Sequence, residues 1–469
     1  MEQKILLLIF IALEIVAFWF AWHAVTSART AQGAAGWVVL LIMAPYFGVP
    51  MYLFLGHYKF KGYLIARRGS EDVCEGMRTL KTANTPKESP SFPSRVFEKI
   101  SEMPVVRGND MTLLIDGQAT FDAIFAAIDR AQTYVLIQFY TIHDDALGQA
   151  LQARLIAAAA RGVTVRLMTD AVGSTKLPRS YHQHLRDAGV QVVDPKMIRG
   201  PKNRFQINLR NHRKTVIVDG KIGFTGGLNV GDEYMGRDPR FGAWRDTHVE
   251  LHGPMVSQLQ LIFTEDWHWA TSENLIGDLN WDAPHAKADM SAMIVPTGPG
   301  DEMETGALFF FSAISAATRR VWIASPYFVP DKDVLTALKH AALRGLDVRI
   351  LVPEVIDHKI PWLAAFALFD EVRAAGGQIW RYQPGFMHQK VVLVDDDFAA
   401  IGTSNLDNRS FRLNFEVMAA FFDPRAAAVT ATMLEHDFKR AILLDKTLSE
   451  QPRHIRIGAP FARLFAPVL

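Results

Sequence analysis

Two long apolar runs open the chain. Residues 5–25, ILLLIFIALEIVAFWFAWHAV, hold one acid and one histidine, and residues 34–56, AAGWVVLLIMAPYFGVPMYLFLG, hold no charge. Each is long enough to cross a hydrocarbon core of roughly 30 Å at about 1.5 Å per helical residue, so the pattern predicts a transmembrane hairpin. A cleaved signal peptide has a shorter apolar core, and here the second run follows at once. Glu14 and His23 are costly against lipid, which predicts that they face the partner helix or, for His23, the interface. Lys59, Lys61, Arg67 and Arg68 follow the second run, whereas Arg29 alone occupies the connection. That bias predicts that both termini are cytoplasmic.

The pattern then changes. ANTPKESPSFPSR, residues 83–95, is rich in proline and polar side chains and reads as a linker. Beyond it, helix-like stretches alternate with short continuous apolar runs, such as YVLIQFY at 134–140 and VWIASPYF at 321–328. ARGVTVRLMTD at 160–170 resembles LRGLDVRILVP at 343–353, and each follows an alanine- and leucine-rich stretch. A repeat on this scale predicts two similar lobes, each an α/β sandwich with a mixed sheet. The expected divisions are the hairpin at 1–60, a juxtamembrane segment and linker at 61–104, a first lobe at 105–270, a connection at 271–300, and a second lobe with the tail at 301–469.

Composition narrows the partners. Lysine and arginine number 50 against 49 acids, so the chain lacks the basic excess that phosphate-backbone affinity draws on, and no nucleic-acid partner is expected. The single cysteine, Cys74, permits no intrachain disulfide and no zinc cluster, and reads as a structural thiol.

The chemistry lies in a duplicated motif. NHRKTVIVDGKIGFTGGLN, residues 211–229, and MHQKVVLVDDDFAAIGTSN, residues 387–405, share one spacing. His212 and Lys214, like His388 and Lys390, stand two apart, which on an extended segment points both side chains to one face. Asp219 and Asp395 fall at the following reversals, where turn chemistry alone explains them. Gly226 and Gly402 permit close backbone approach, and Asn229 and Asn405 add amide donors. Lysine, asparagine and histidine together form a donor set suited to phosphate. Displacing an alcohol from a phosphodiester needs a nucleophile on one side of phosphorus and a proton donor on the other, and two copies supply two histidines. The halves are therefore expected to face each other across a pseudo-two-fold axis. EDWHWA, residues 265–270, reads as core rather than as membrane-interface aromatics, and His248, His252 and His268 read as structural.

Both copies match H-x-K-x4-D-x6-G-[small]-x-N, the duplicated signature of the phospholipase D superfamily, which the chain resembles. Gly227 and Thr403 stand where serine is commonest, at a position expected mainly to be small. The apolar hairpin, PYFVPD at 326–331, NRSFRLNFE at 408–416 and the ending RLFAPVL narrow the resemblance to bacterial cardiolipin synthases. The resemblance implies a catalytic set of His212, Lys214, Asp219, His388, Lys390 and Asp395. Within it His212 is the nucleophile of a phosphatidyl-histidine intermediate, and His388 is the general acid and then base. Lys214, Lys390, Asn229 and Asn405 would hold the phosphate, and Asp246 and Glu416 would each orient a histidine of the opposite half. It implies phosphatidylglycerol as substrate, an inner-membrane location, and neither cofactor nor metal. A hydrolase, or transfer to another alcohol such as ethanolamine, uses the same motifs. The sequence carries no sign of oligomeric state.

Overall fold

In the computed structural model, which describes residues 2–28, 31–56, 71–193 and 210–469, the two repeated stretches form the same unit. Strand Tyr134–Phe139 runs parallel to Thr164–Thr169, with helix Ala146–Ala160 as the crossover. In the second copy Arg320–Ala324 runs parallel to Asp347–Pro353 across helix Lys332–Leu343. The local causes are alike. Asp145 and Asp331 cap their helices, accepting the N–H of Gly148 at 3.0 Å and of Val334 at 2.9 Å. Beyond the helix ends, Gly162 and Gly345 take φ of 87° and 83°, a conformation that costs any other residue.

Strand order shows the symmetry. Val106–Ile115 and Met290–Thr297 pair antiparallel at the centre of one sheet. Outward from the first run Thr247–His252, Ile222–Gly226, Thr215–Val218, Tyr134–Phe139, Thr164–Thr169 and Gln191–Val192. Outward from the second run Asn414–Phe421, Phe398–Gly402, Val391–Val394, Arg320–Ala324, Asp347–Pro353 and Gln378–Tyr382, the same order in the other half. The two α/β lobes thus share a continuous sheet with a pseudo-two-fold at its centre. Met290–Thr297, within the stretch read as a connection, is one of the two central strands.

At the amino terminus, helix Glu2–Ser27 packs against Ala31–Met43 and Pro45–Leu55 around Phe20, Ala21, Leu41 and Tyr52. Only the first is long and apolar enough by itself to cross a membrane among the described residues. The second apolar run, expected as one helix, is broken at Ala44, whose φ of −143° and ψ of 63° leave the helical region. The reason is Pro45, which lacks an N–H and whose ring crowds the preceding residue out of the α conformation. His23 faces its neighbours, with Nδ1 2.7 Å from the Tyr52 hydroxyl. Glu14 is half-buried. Arg29, Lys59, Lys61, Arg67 and Arg68, on which the expected orientation rests, lie outside the described residues.

The proline-rich segment at 83–95 is pinned rather than loose. Phe92 is buried and stacks on Phe398 with centroids 4.4 Å apart, and Phe97 of helix Arg95–Ser101 stacks on the same ring at 5.4 Å. Trp267 of the 265–270 stretch is core, stacked on Phe263 at 5.9 Å.

Candidate active site

Each histidine is placed by a short strand that crosses to the other lobe. Arg210–Asn211 pairs in parallel with the start of Asn414–Phe421, with Asn211 opposite Phe415. The next residues are His212 and Glu416, and the ladder continues with the His212 N–H donating to the Phe415 carbonyl at 2.9 Å. The second half repeats this. Gly385–Met387 pairs in parallel with Ala243–Arg245, Met387 lies opposite Arg245, and the His388 N–H donates to the Arg245 carbonyl at 2.8 Å. Register therefore sets a histidine of one lobe against an acid of the other.

The side chains close these pairs. His212 Nδ1 is 2.8 Å from Glu416 Oε2, and His388 Nδ1 is 2.9 Å from Asp246 Oδ2. Both carboxylates are fully buried. An ionised carboxylate only accepts, so each Nδ1 carries the hydrogen and each Nε2 keeps its lone pair. Lys390 Nζ also lies 2.9 Å from His388 Nδ1, but a protonated Nδ1 has nothing to accept with, and the ammonium donates instead to the His388 carbonyl.

Burial dominates the electrostatics. It draws His212 down to about 4, overcoming the opposing pull of Glu416, and it lowers His388, with Lys390 adding to the effect. Both rings are therefore neutral bases near pH 7. Burial also draws Lys214 down to about 7 and Lys390 to about 8. Each lysine depresses or opposes charge near the other motif: Lys214 responds to Lys390 and Asp246 of the second pairing, and Lys390 responds to Glu416 of the first. The two copies thus form one electrostatic centre. Burial would raise Glu416 and Asp246, yet both are lowered, by His212 and Lys214 at the first and by Lys390 and His388 at the second.

The remaining motif positions divide. Lys214 Nζ donates to the His212 carbonyl at 2.7 Å, and Asn229 donates to the Tyr234 hydroxyl at 3.1 Å while accepting from the Thr141 N–H at 3.2 Å. Asn405 is buried, and its Oδ1 has no partner among the described residues. Asp219, in contrast, is spent on the backbone. At φ 54° it accepts from the N–H groups of Gln132, Thr133 and Tyr134 at 3.0, 2.8 and 3.0 Å, anchoring the start of Tyr134–Phe139. Asp395, at φ 49°, does the same for Thr318, Arg319 and Arg320 at 2.8, 2.8 and 2.9 Å. Both carboxylates are occupied by backbone N–H groups, as the turn chemistry read from the sequence has it.

Three comparisons bear on this arrangement. A family model described as cardiolipin synthase, PLD-like domain, matches residues 124–267 and 310–440, one segment per lobe, and a phospholipase D-nuclease N-terminal model matches residues 15–57. Cardiolipin synthase A of Pseudomonas putida (strain GB-1) is 48% identical over 458 residues, spanning 96% of this chain and 95% of its own. The chain belongs to the phospholipase D-like cardiolipin synthase family. Cardiolipin synthase A of Pseudomonas entomophila (strain L48) is 47% identical over 458 residues, with 96% and 95% covered. The crystal structure of phosphatidylserine synthase from Haemophilus influenzae Rd KW20 shares the fold, with a TM-score of 0.59 at 14% identity over 80% of this chain and 99% of that one.

Within this family framework, several supporting residues escaped the sequence reading. The middle residue of each H-x-K is a buried lock. Arg213 bonds Asp266 at 2.7 Å, and Gln389 donates to Asp437 at 2.9 Å and accepts from the Thr247 hydroxyl at 2.9 Å. Asp266 also accepts from Asn211 at 2.8 Å and Gln138 at 2.9 Å. An acid directly before the core Trp267 in EDWHWA was the available signal. The position after each motif glycine needs more than small size. The Thr403 hydroxyl donates to Glu416 Oε2 at 2.6 Å, whereas a Cβ on Gly227 would come within 1.9 Å of Asp246 Oδ1. Ser410 at 2.8 Å and Asn414 at 3.1 Å complete the Glu416 shell. The Tyr140 ring packs edge-on against His212, with centroids 4.9 Å apart. Among the described residues no three His, Cys, Asp or Glu side chains converge as a metal cage would require.

Proposed function

We propose that the protein is a cardiolipin synthase that transfers a phosphatidyl group from one phosphatidylglycerol to the headgroup hydroxyl of another, releasing glycerol. The observation that carries this reading is the crosswise pairing of His212 with Glu416 and His388 with Asp246. It gives two imidazoles of fixed orientation, one from each lobe: His212 with a bare Nε2 to attack, and His388, which takes up a proton beside the anionic substrate, to serve as acid and then base.

His212 Nε2 attacks phosphorus and the bond to the glycerol oxygen breaks, leaving a phosphatidyl-histidine. His388 gives that oxygen its proton. The incoming phosphodiester is an anion, and beside it the proton affinity of His388 and of both lysines rises from the depressed values of the free enzyme. In the second step His388 takes the proton of the acceptor hydroxyl, whose oxygen attacks phosphorus and frees His212. Lys214, Lys390, Asn229 and Asn405 hold the nonbridging oxygens, so the lysines supply the positive charge directly. Because the phosphodiester's energy is conserved on histidine, no nucleotide-activated donor is needed.

The apolar amino-terminal helices hold this centre at a bilayer, on its cytoplasmic side, where lipid alcohol is concentrated relative to water as acceptor. The test is to incubate the purified protein in vesicles of phosphatidylglycerol alone and identify products by mass. Cardiolipin and glycerol in equal amounts are expected, and added glycerol should drive the reaction backward. Phosphatidic acid as the main product would show that water is the acceptor.

A further inference from the structure

Several arginines packed into the protein sit against a carboxylate. Arg213 has Asp266 at 2.7 Å, and Arg412 has Glu304 at 3.0 Å and Asp331 at 2.8 Å. Arg210, two residues before His212, and Arg409, next to the Ser410 that donates to Glu416, the partner of His212, have none among the described residues. Arg210 precedes His212 by two positions on an extended segment, which puts both on one face. Its Nη1 donates to the Tyr140 hydroxyl at 3.0 Å, and its Nε is buried with no partner. Arg409, from the opposite lobe, is half-buried, and its Nη1 is buried with no partner. Their backbones meet at Leu413, whose carbonyl accepts from the Arg210 N–H at 3.4 Å and whose N–H donates to the Arg409 carbonyl at 2.8 Å; after burial, Arg210 lowers Arg409 while Asp407 opposes it, and both arginines act on the Tyr140 phenol. Tyr140 links them to the chemistry, since its ring meets His212 while its hydroxyl meets Arg210.

Two half-buried like charges, of which only Arg409 feels an acid, Asp407, and neither forms an ion pair among the described residues, each keep an unused donor, an arrangement that becomes favourable around a shared anion. The donor phosphate already has Lys214, Lys390, Asn229 and Asn405. We infer that Arg210 and Arg409 form a second anion seat beside His212, which takes the phosphodiester of the acceptor lipid and presents its glycerol hydroxyl to the phosphatidyl group. This rests on the transfer reading above and deepens it: the acceptor is recognised by its charge, so an anionic lipid alcohol is chosen over water or a neutral alcohol. In the step served, the acceptor oxygen bonds to phosphorus, the phosphorus bond to His212 Nε2 breaks, and the hydroxyl proton passes to His388.

The experiment is a partition assay. Purified full-length protein is given phosphatidylglycerol in detergent micelles with ethanol as a neutral competitor, and the ratio of cardiolipin to phosphatidylethanol is measured. Arg409→Gln and Arg210→Gln should each lower that ratio at least roughly tenfold, as loss of a charged contact does, whatever happens to the total rate. Arg409→Lys and Arg210→Lys, which keep a cation but lose the planar fork, should fall between. A ratio unchanged in all four variants overturns the inference, because seats serving the donor phosphate would slow both products alike. A wild-type protein that makes phosphatidylethanol and phosphatidic acid but no cardiolipin would bring down the transfer reading as well, a result distinct from unchanged partition.

Discussion

Replacing Glu416 by glutamine removes one charge from the His212 pair while keeping the shape that accepts from Thr403 and Ser410. The bond lost is 2.8 Å long between fully buried groups. Attack on phosphorus leaves His212 cationic, and a carboxylate about 4 Å from that charge is worth roughly 4 kcal/mol at an effective dielectric constant of 20. Part of this is recovered by the neutral hydrogen bond, so about 3 kcal/mol, or roughly a hundredfold, should be lost from the rate of intermediate formation. A glutamine amide that donates to Nδ1 would also move the ring hydrogen to Nε2 and deepen the loss. Asp246→Asn weakens the other pair, 2.9 Å long, and acts on the proton donor. Rapid-quench measurement of lipid-labelled enzyme separates the two. With a donor carrying a nitrophenol leaving group, which departs without a proton, Asp246→Asn should recover most of its rate and Glu416→Gln should not. The reverse pattern, or a Glu416→Gln rate within about threefold of wild type, would refute the assignment.

Other consequences follow from the same geometry. Asp219→Ala removes three backbone contacts and should destabilise the protein by roughly 2–3 kcal/mol, while the folded fraction keeps its turnover; thermal melting paired with active-site titration checks this, and a fully folded, inactive variant would contradict it. Because Lys214 and Lys390 are held at about 7 and 8, they lose charge as pH rises through that range, whereas His212 at about 4 stays neutral throughout. The kcat/KM profile should therefore decline from about pH 7 upward and steepen above about pH 8, and a plateau extending to pH 10 would show that lysine charge is not required. Ser91 is exposed, with its hydroxyl 2.6 Å from Asp397; a cysteine placed there should resist an impermeant thiol reagent in intact cells, and labelling would overturn the cytoplasmic placement.

Much of this site was legible because it is written locally and twice. His212 and Lys214 sit two apart in the chain, and the repeat of YVLIQFY and VWIASPYF gave the lobes their matching strands. The carboxylates were harder. Glu416 lies 204 residues from His212, and Asp246 lies 142 from His388, so only the cross-lobe ladders bring them together. Those ladders are two and three residues long, too short for any periodicity to announce. The same holds for the lock between Arg213 and Asp266, where burial makes the pair and a local reading shows only a cation and an acid in separate segments. Met290–Thr297 hid in a stretch dominated by polar and proline residues, although it lies at the centre of the sheet. At Ala44 the opposite happened: apolar composition predicted one spanning helix, and a single proline, which hydropathy does not weigh, divided it.

The most direct test of the account is where the lipid becomes attached. His388→Ala protein, given a phosphatidyl donor with a nitrophenol leaving group, should accumulate an acid-labile, base-stable phosphatidyl adduct, and mass spectrometry of its peptides should place that adduct on His212. His212→Ala protein should carry none. An adduct on His388 in the wild-type enzyme, or one that persists when His212 is replaced, would contradict the account.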